Sequence, residues 1–261
     1  MGALFDLSDK VAVVTGSSKG IGRVIAERLA EHGAKVVVSS RKAAACEAVA
    51  AAICDRGGEA IVIPCHIGRR QELQHLADAT AERWGGIDIL VCNAAVNPHF
   101  GAAATISDDA YDLTMATNVR SNFWLCNMVL PGMAARGGGS VIVVSSIAGL
   151  RGSAILGVYA LSKAAEMQLV RNIAVEWGPR GVRANCIAPG LVRTDFARAL
   201  WEDARLLARR ERDTPLGRIG EPDEIAGVAV FLASPAGRFM TGQTLVIDGG
   251  LTIGSPPASD Q

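Results

Sequence analysis

No charge of one sign dominates this chain: 26 Lys and Arg offset 26 Asp and Glu over 261 residues. A balanced chain has no positive field to attract nucleic acid or an anionic membrane, and basic partners are equally unsupported. The six cysteines, Cys46, Cys54, Cys65, Cys92, Cys126 and Cys186, form no CxxC pair and several sit inside apolar runs. They read as small buried hydrophobes kept reduced, which excludes a disulfide framework or zinc knot. His32, His66, His75 and His99 are the only histidines, and none falls at a metal-ligating spacing, so no metal is expected. No apolar run approaches the ~20 residues a spanning helix needs, and the first ten residues lack the apolar centre of a signal peptide. The expectation is a cytoplasmic protein with no membrane partner.

What is present is the balance of a folded protein, 49% hydrophobic and 20% charged. Short β-branched runs alternate with longer Ala-rich segments of helical period. Strands are predicted at Val11–Thr15, Lys35–Ser39, Ala60–Ile63, Ile87–Cys92, Ser140–Ser145, Arg183–Ile187 and Thr244–Ile247. Runs such as Val141–Val144 are apolar at every position, as a parallel strand covered on both faces must be. Helices are predicted at Ile21–His32, Ala43–Arg56, Gln71–Trp84, Asp108–Met133, Ser153–Trp177 and Glu221–Leu232, long enough to cross between parallel strands. Gly33 and Gly178 mark helix ends.

The predicted fold is therefore α/β: one doubly wound, Rossmann-type domain over residues 1–254, with a seven-stranded parallel sheet and helices on both faces. Residues 8–150 form a cofactor half, 151–254 a catalytic and substrate half, and 255–261 a flexible tail. The charged stretch Thr194–Arg218 breaks the rhythm and is a candidate substrate lid.

Thr15-Gly16-Ser17-Ser18-Lys19-Gly20-Ile21-Gly22 follows the first strand and opens the first helix, the context of a dinucleotide phosphate site. Gly16 permits the turn, Gly20 lets backbone approach a pyrophosphate, Gly22 allows close packing, and the helix N-terminus supplies N–H donors and dipole. After the second strand, an NAD-type site would carry an acid for the ribose 2′-hydroxyl. Ser40 stands there, Arg41 follows, and Lys19 lies in the loop, so two cations could meet a 2′-phosphate. NADP(H) is the expected cofactor.

Ser146 ends a strand, and Tyr159 and Lys163 stand four apart on one helix, where i, i+4 side chains are neighbours. The ammonium could lower the tyrosine pKa from ~10 towards working pH, making Tyr159 a general acid/base. Ser146 could hydrogen-bond the reacting oxygen.

With these motifs in place, the sequence resembles the short-chain dehydrogenase/reductase family. The carriers are TGxxxGIG at 15–22, Cys92-Asn93-Ala94-Ala95 as a variant of NNAG, YxxxK at Tyr159 and Lys163 with Ser146 upstream, Pro189-Gly190, and Asp248-Gly249-Gly250. The resemblance implies that Asn118 completes a tetrad by holding a water behind Lys163, and that Lys163 grips the nicotinamide ribose. It further implies that Asn93 and Ala94 line the cofactor cleft, and that Pro189, Gly190, Val192 and Thr194 cradle the nicotinamide. His66, followed by Ile67, replaces the acid that many relatives direct at adenine, where a histidine could stack or donate. Several segments are similar to a subgroup of NADP(H)-dependent carbonyl and retinal reductases.

The implied activity is hydride transfer between NADP(H) and a ketone or secondary alcohol, with a small-molecule partner and a homotetrameric assembly. A 3-oxoacyl-carrier-protein reductase and a non-catalytic NADP(H)-binding sensor stay open. Loops beyond the strand ends nominate His99, Phe100, Leu150, Arg151, Leu156, Phe196, Leu200 and Trp201 for the substrate; most are apolar, which suits a bulky, largely uncharged ketone.

Overall fold

Strands apolar on every residue must be covered from both sides, and the computed structural model, which describes residues 3–254 and 256, has that architecture. β1 (Val11–Thr15), β2 (Lys35–Ser39), β3 (Glu59–Val62), β4 (Ile89–Cys92), β5 (Gly139–Val144), β6 (Val182–Pro189) and β7 (Thr244–Ile247) form one sheet in the order β3-β2-β1-β4-β5-β6-β7. Every pairing is parallel. Successive residues of one strand serve two cores: Val13, Leu90, Val141 and Val143 pack on one side, and Ala12, Val14, Ile89, Val91, Ile142 and Val144 on the other. This explains why alternation is missing from the sequence.

Helices α1 (Gly20–Glu31), α2 (Ala43–Cys54) and α9 (Pro222–Ala233) supply the second core. Helices α3 (Arg70–Trp84), α5 (Ser121–Ala135) and α6 (Gly157–Trp177) supply the first. The chain builds outward from β1 to β3, then returns to place β4 on the other flank of β1, leaving a crevice at the strands' carboxyl ends.

Two predicted helices are corrected, and the lid stretch is resolved into short pieces. Asp108–Met133 is not continuous: α4 (Asp108–Met115) is followed by one π-helical turn, Ala116–Arg120, before α5 begins. The segment expected to start at Ser153 starts as α6 at Gly157, because the backbone of Ile155 and Leu156 pairs instead with Gly101 in the loop after β4. The lid stretch comprises a 3₁₀ turn, Asp195–Ala197, a four-residue α7 (Arg198–Trp201) and α8 (Ala204–Asp213). Gly178 caps α6, which ends at Trp177 as expected, but with a φ of −52°; a 3₁₀ turn then carries the chain on to Gly181, whose φ of +79° makes the reversal. β6 runs two residues further than predicted, through Pro189. The predicted tail, 255–261, lies outside the described residues except for Pro256.

Candidate active site

The phosphate end is built by a brace between β1 and β4. Asn93 donates from its backbone N–H to Thr15 Oγ1 at 3.0 Å, and from Nδ2 to the carbonyls of Thr15 and Gly16 at 3.0 and 3.2 Å. Ala94 donates to the same hydroxyl at 3.2 Å. Ser17, fully buried, donates to Val14 O at 2.7 Å and accepts from Ser39 N at 2.8 Å, tying the loop to β2. Thr15 and Ser17 were missed as site residues in the sequence reading, although both are small hydroxyl residues within the glycine-rich motif. A Cβ on Gly22 would lie 2.3 Å from Asn93 Nδ2, so the close packing assigned to Gly22 is against this brace. Gly16 and Gly20 have φ of +66° and +58°, a conformation that favours glycine. The loop ends on the N-terminus of α1, whose first N–H groups need an acceptor.

The cations are placed differently from one another. Lys19 is exposed and reaches across the cleft to Asp195 at 3.5 Å. Arg41 is exposed just beyond β2. Ser40 is engaged with Cys46 Sγ at 3.1 Å. Lys19 belongs to the loop and is shared with the segment that carries Asp195.

After β3, the His66 backbone N–H donates to Glu72 at 2.6 Å, which helps hold that carboxylate below its usual pKa. His66 Nδ1 accepts from Gly68 N at 3.1 Å. A neutral ring accepting at Nδ1 carries its proton on Nε2, so His66 offers a donor where an acid would offer an acceptor. Ile67 follows it, half-buried.

Tyr159 and Lys163 lie in the first two turns of α6, and Ser146 begins the 3₁₀ turn after β5. Lys163 Nζ is 5.5 Å from the Tyr159 ring centre. Tyr159 keeps part of its surface open to the cleft while its hydroxyl is deeply set. Burial raises its pKa above the ordinary tyrosine value; Lys163 and Ser146 pull it down and Glu166 pushes it up. The predicted lowering by Lys163 is therefore present but outweighed. Burial is the main reason, and a residue missed in the sequence adds to it: Glu166, only 1% exposed, takes the Lys163 ammonium at 3.0 and 3.1 Å through its two oxygens. The i, i+3 spacing from Lys163 is the signal that could have found it.

Asn118 sits in the π turn and is fully buried. Its Oδ1 accepts from Val96 N at 2.9 Å, and its Nδ2 donates to Val96 O and Ser162 Oγ at 3.0 Å each. Its carbonyl accepts from Asn122 at 2.8 Å. The side chain is thus spent on clamping the loop after β4 to α6.

The far wall and lid close around this pair. Gly190 donates to Ile247 O at 2.9 Å, placing the end of β6 against β7, and a Cβ there would lie 2.9 Å from Asp248. Pro189 and Val192 are buried, and Val192 bridges to Gly220. A Cβ on Gly20 would contact Thr194 at 3.5 Å, so the lid's stem rests over the phosphate loop. The Phe196 ring stands 6.3 Å from that of Tyr159, which brings this segment against the tyrosine. Trp201 instead donates to Thr194 O at 2.8 Å and lies under Arg193, bracing the lid from within, with Leu200 half-buried beside it. His99 hydrogen-bonds within its own loop, to Ala102 O and Thr105. The Gly101–Leu156 bridge joins the His99 and Phe100 loop to the segment bearing Leu156, while Leu150 and Arg151 remain exposed.

A surface cavity of about 450 Å³ is bordered by Asp6, Glu27, His32 and Arg56, at the opposite, amino-terminal ends of the strands. It is remote from the tyrosine. Among the described residues no His, Cys, Asp and Glu cluster could hold a metal ion, and no helix is long and apolar enough to cross a membrane.

Comparisons with known proteins agree with this geometry. Residues 16–252 match a family model described as Enoyl-(Acyl carrier protein) reductase. Over 244 residues the chain is 41% identical to Homo sapiens Dehydrogenase/reductase SDR family member 4, spanning 94% of this chain and 88% of that one. A gluconate 5-dehydrogenase from Burkholderia cenocepacia J2315, solved with NADP and tartrate, is 34% identical over 96% and 98% of the two chains, with a TM-score of 0.92. A 7α-hydroxysteroid dehydrogenase solved with NADH and 7-oxo glycochenodeoxycholic acid is 36% identical over 96% and 97%, with a TM-score of 0.91.

Proposed function

Because this chain belongs to the short-chain dehydrogenase/reductase family of oxidoreductases, we propose that it is an NADP(H)-dependent reductase of ketones, working reversibly on the corresponding secondary alcohols. The observation that carries the reading is the placement of Tyr159, with Lys163 and Ser146 beside it, at the carboxyl ends of β4 to β6 and next to the braced glycine loop.

The glycine loop and the N-terminus of α1 would hold the pyrophosphate, Lys19 and Arg41 the 2′-phosphate, and His66 and Ile67 the adenine. Asn93, Ala94, Pro189, Gly190, Val192 and Thr194 would line the nicotinamide end. When bound, the cofactor supplies or accepts the hydride. In reduction, Tyr159 Oη gives its proton to the carbonyl oxygen as negative charge develops there, and in oxidation the phenolate takes the alcohol proton. The Ser146 hydroxyl donates to the same oxygen and fixes its position. Asn118 keeps the loop after β4 and α6 in register, and Phe196 walls the tyrosine on the lid side.

Phe100, Leu150, Leu156, Phe196 and Leu200 give the rim an apolar character that supports a bulky, uncharged ketone. Arg151 at the same rim, with the family model's description, favours acyl-carrier thioesters as the second reading.

The test is a panel of ketones, alcohols and 3-oxoacyl thioesters with NADPH and NADH. Ketone reduction that prefers NADPH is expected, and Arg41→Asp should reverse that preference. Turnover of thioesters alone would replace the ketone reading, and equal use of both cofactors would remove the role given to Arg41. NADPH binding without turnover of any compound would point to a sensor.

A further inference from the structure

Behind the tyrosine, Lys163 is paired with a buried carboxylate, Glu166, that has no part in the reaction as described. Lys163 has three N–H donors. Its partners are the two Glu166 oxygens at 3.0 and 3.1 Å and the Val144 carbonyl at 3.1 Å. Both side chains are about 1% exposed, so solvent screens the pair little. Asn122 supports Glu166 from α5 at 3.4 Å. Seen from Tyr159, a cation paired this closely with a carboxylate is nearly neutral, and it cannot stabilise a phenolate as an unpaired ammonium would.

The geometry points to Glu166 as a positioning residue that sets the pH range of each direction: by neutralising Lys163 from behind, it keeps Tyr159 in its acid form at neutral pH, so reductive turnover persists to high pH and oxidative turnover needs a more alkaline medium. The inference rests on the assignment of Tyr159 as acid/base. Among the described residues, none contributes a competing charge at contact distance. Tyr159 faces Lys163 on its own helix, Ser146 after β5, and the uncharged Phe196 of the lid. The pair faces Ser145 after β5, Asn118 and Asn122 from the π turn and α5, and the thiols of Cys92 (β4), Cys126 (α5) and Cys186 (β6). The hydrogen bond with Cys126, together with burial, raises the pKa of Cys92, and burial raises that of Cys186, so both stay neutral. Arg171, further along α6, acts on Cys186 from a distance.

The proton balance of the step is simple. Reduction consumes the Tyr159 proton, which passes to the carbonyl oxygen, and the phenolate is then reprotonated from solvent through the cleft. Holding the tyrosine protonated at neutral pH keeps the site ready for that direction.

The chain contains only two tyrosines, Tyr111 and Tyr159. In a Tyr111→Phe background, the ultraviolet absorbance of tyrosinate therefore reports Tyr159 alone, independently of turnover. Tyr159 is expected to ionise above the ordinary value of ~10. Glu166→Gln should move the midpoint to lower pH, and Glu166→Asp, which keeps the charge, should leave it near its starting place. With NADPH and a ketone, Glu166→Gln should shift the high-pH fall of reductive kcat to lower pH and raise the ratio of oxidative to reductive kcat at neutral pH.

A tyrosinate midpoint that Glu166→Gln leaves in place or raises overturns the assignment, as does a loss of kcat at every pH without a displaced profile. Should Glu166→Gln not fold, the Tyr111→Phe protein still decides: a Tyr159 midpoint at or below the ordinary value overturns it. An active enzyme with an unmoved midpoint sinks the role of Glu166 alone. A native protein that turns over neither ketones nor alcohols sinks the reaction, and with it the directional consequence.

Discussion

Replacing Tyr159 by phenylalanine removes one oxygen and leaves the ring that packs near Phe196, so Tyr159→Phe separates chemistry from architecture. It should retain NADPH binding by fluorescence titration while kcat falls about 100- to 10,000-fold, the usual worth of a general acid. The native pH dependence follows from the raised tyrosine pKa. Below that pKa the hydroxyl is protonated and reduction is flat; as pH rises through it, reduction declines and alcohol oxidation grows. Steady-state rates in both directions across the alkaline range check this. At Gly22 the constraint is steric. An added methyl collides with the Asn93 amide, so Gly22→Ala should cost about 1–3 kcal/mol of stability by denaturant titration and weaken cofactor binding in parallel. Tyr159, Lys163, Ser146 and the loop glycines were legible in the sequence because local spacing defines them. Thr15 and Asn93 act on each other across 78 positions, a contact that no local pattern encodes.

Among the elements, strands were legible because burial on both faces leaves an unbroken apolar run of strand length, and all seven fall within a few residues of their predicted places. Helix interruptions were not. Residues 108–135 keep a helical composition throughout, and the π turn is visible only through the tertiary bonds of Asn118 to Val96 and Ser162. The lid is the least regular element. Its charged α8 has no buried residue, and Trp201 is its internal brace through Thr194 and Arg193. Trp201→Phe keeps the ring but deletes the indole N–H. It should raise KM for the ketone several-fold with little change in NADPH affinity, measured by initial rates and by direct binding.

Taken whole, the molecule leaves large apolar side chains on the outer faces of α4, α5 and α6: Tyr111, Leu113, Phe123 and Leu161 are each 42–60% exposed. Exposed apolar surface of this kind on a folded chain marks a contact face, and it supports the proposed homotetramer. Light scattering on the purified protein should return four chains per particle, and Phe123→Glu should lower that number. The two halves read from the sequence share one sheet, since β5 and β6 pair at six consecutive positions across the boundary, so the halves should unfold in a single transition.

The stem of the lid leans on the phosphate loop through Thr194 above Gly20 and through Asp195 on Lys19. A phosphate that claims Lys19 must take it from Asp195, so the first molecule to enter also rearranges the wall that receives the second. Binding should then follow a compulsory sequence, cofactor entering first and leaving last. Product-inhibition patterns would reveal it, with NADP competitive against NADPH and the alcohol product noncompetitive. Asp195→Ala, by cutting that link, should loosen the sequence towards random entry.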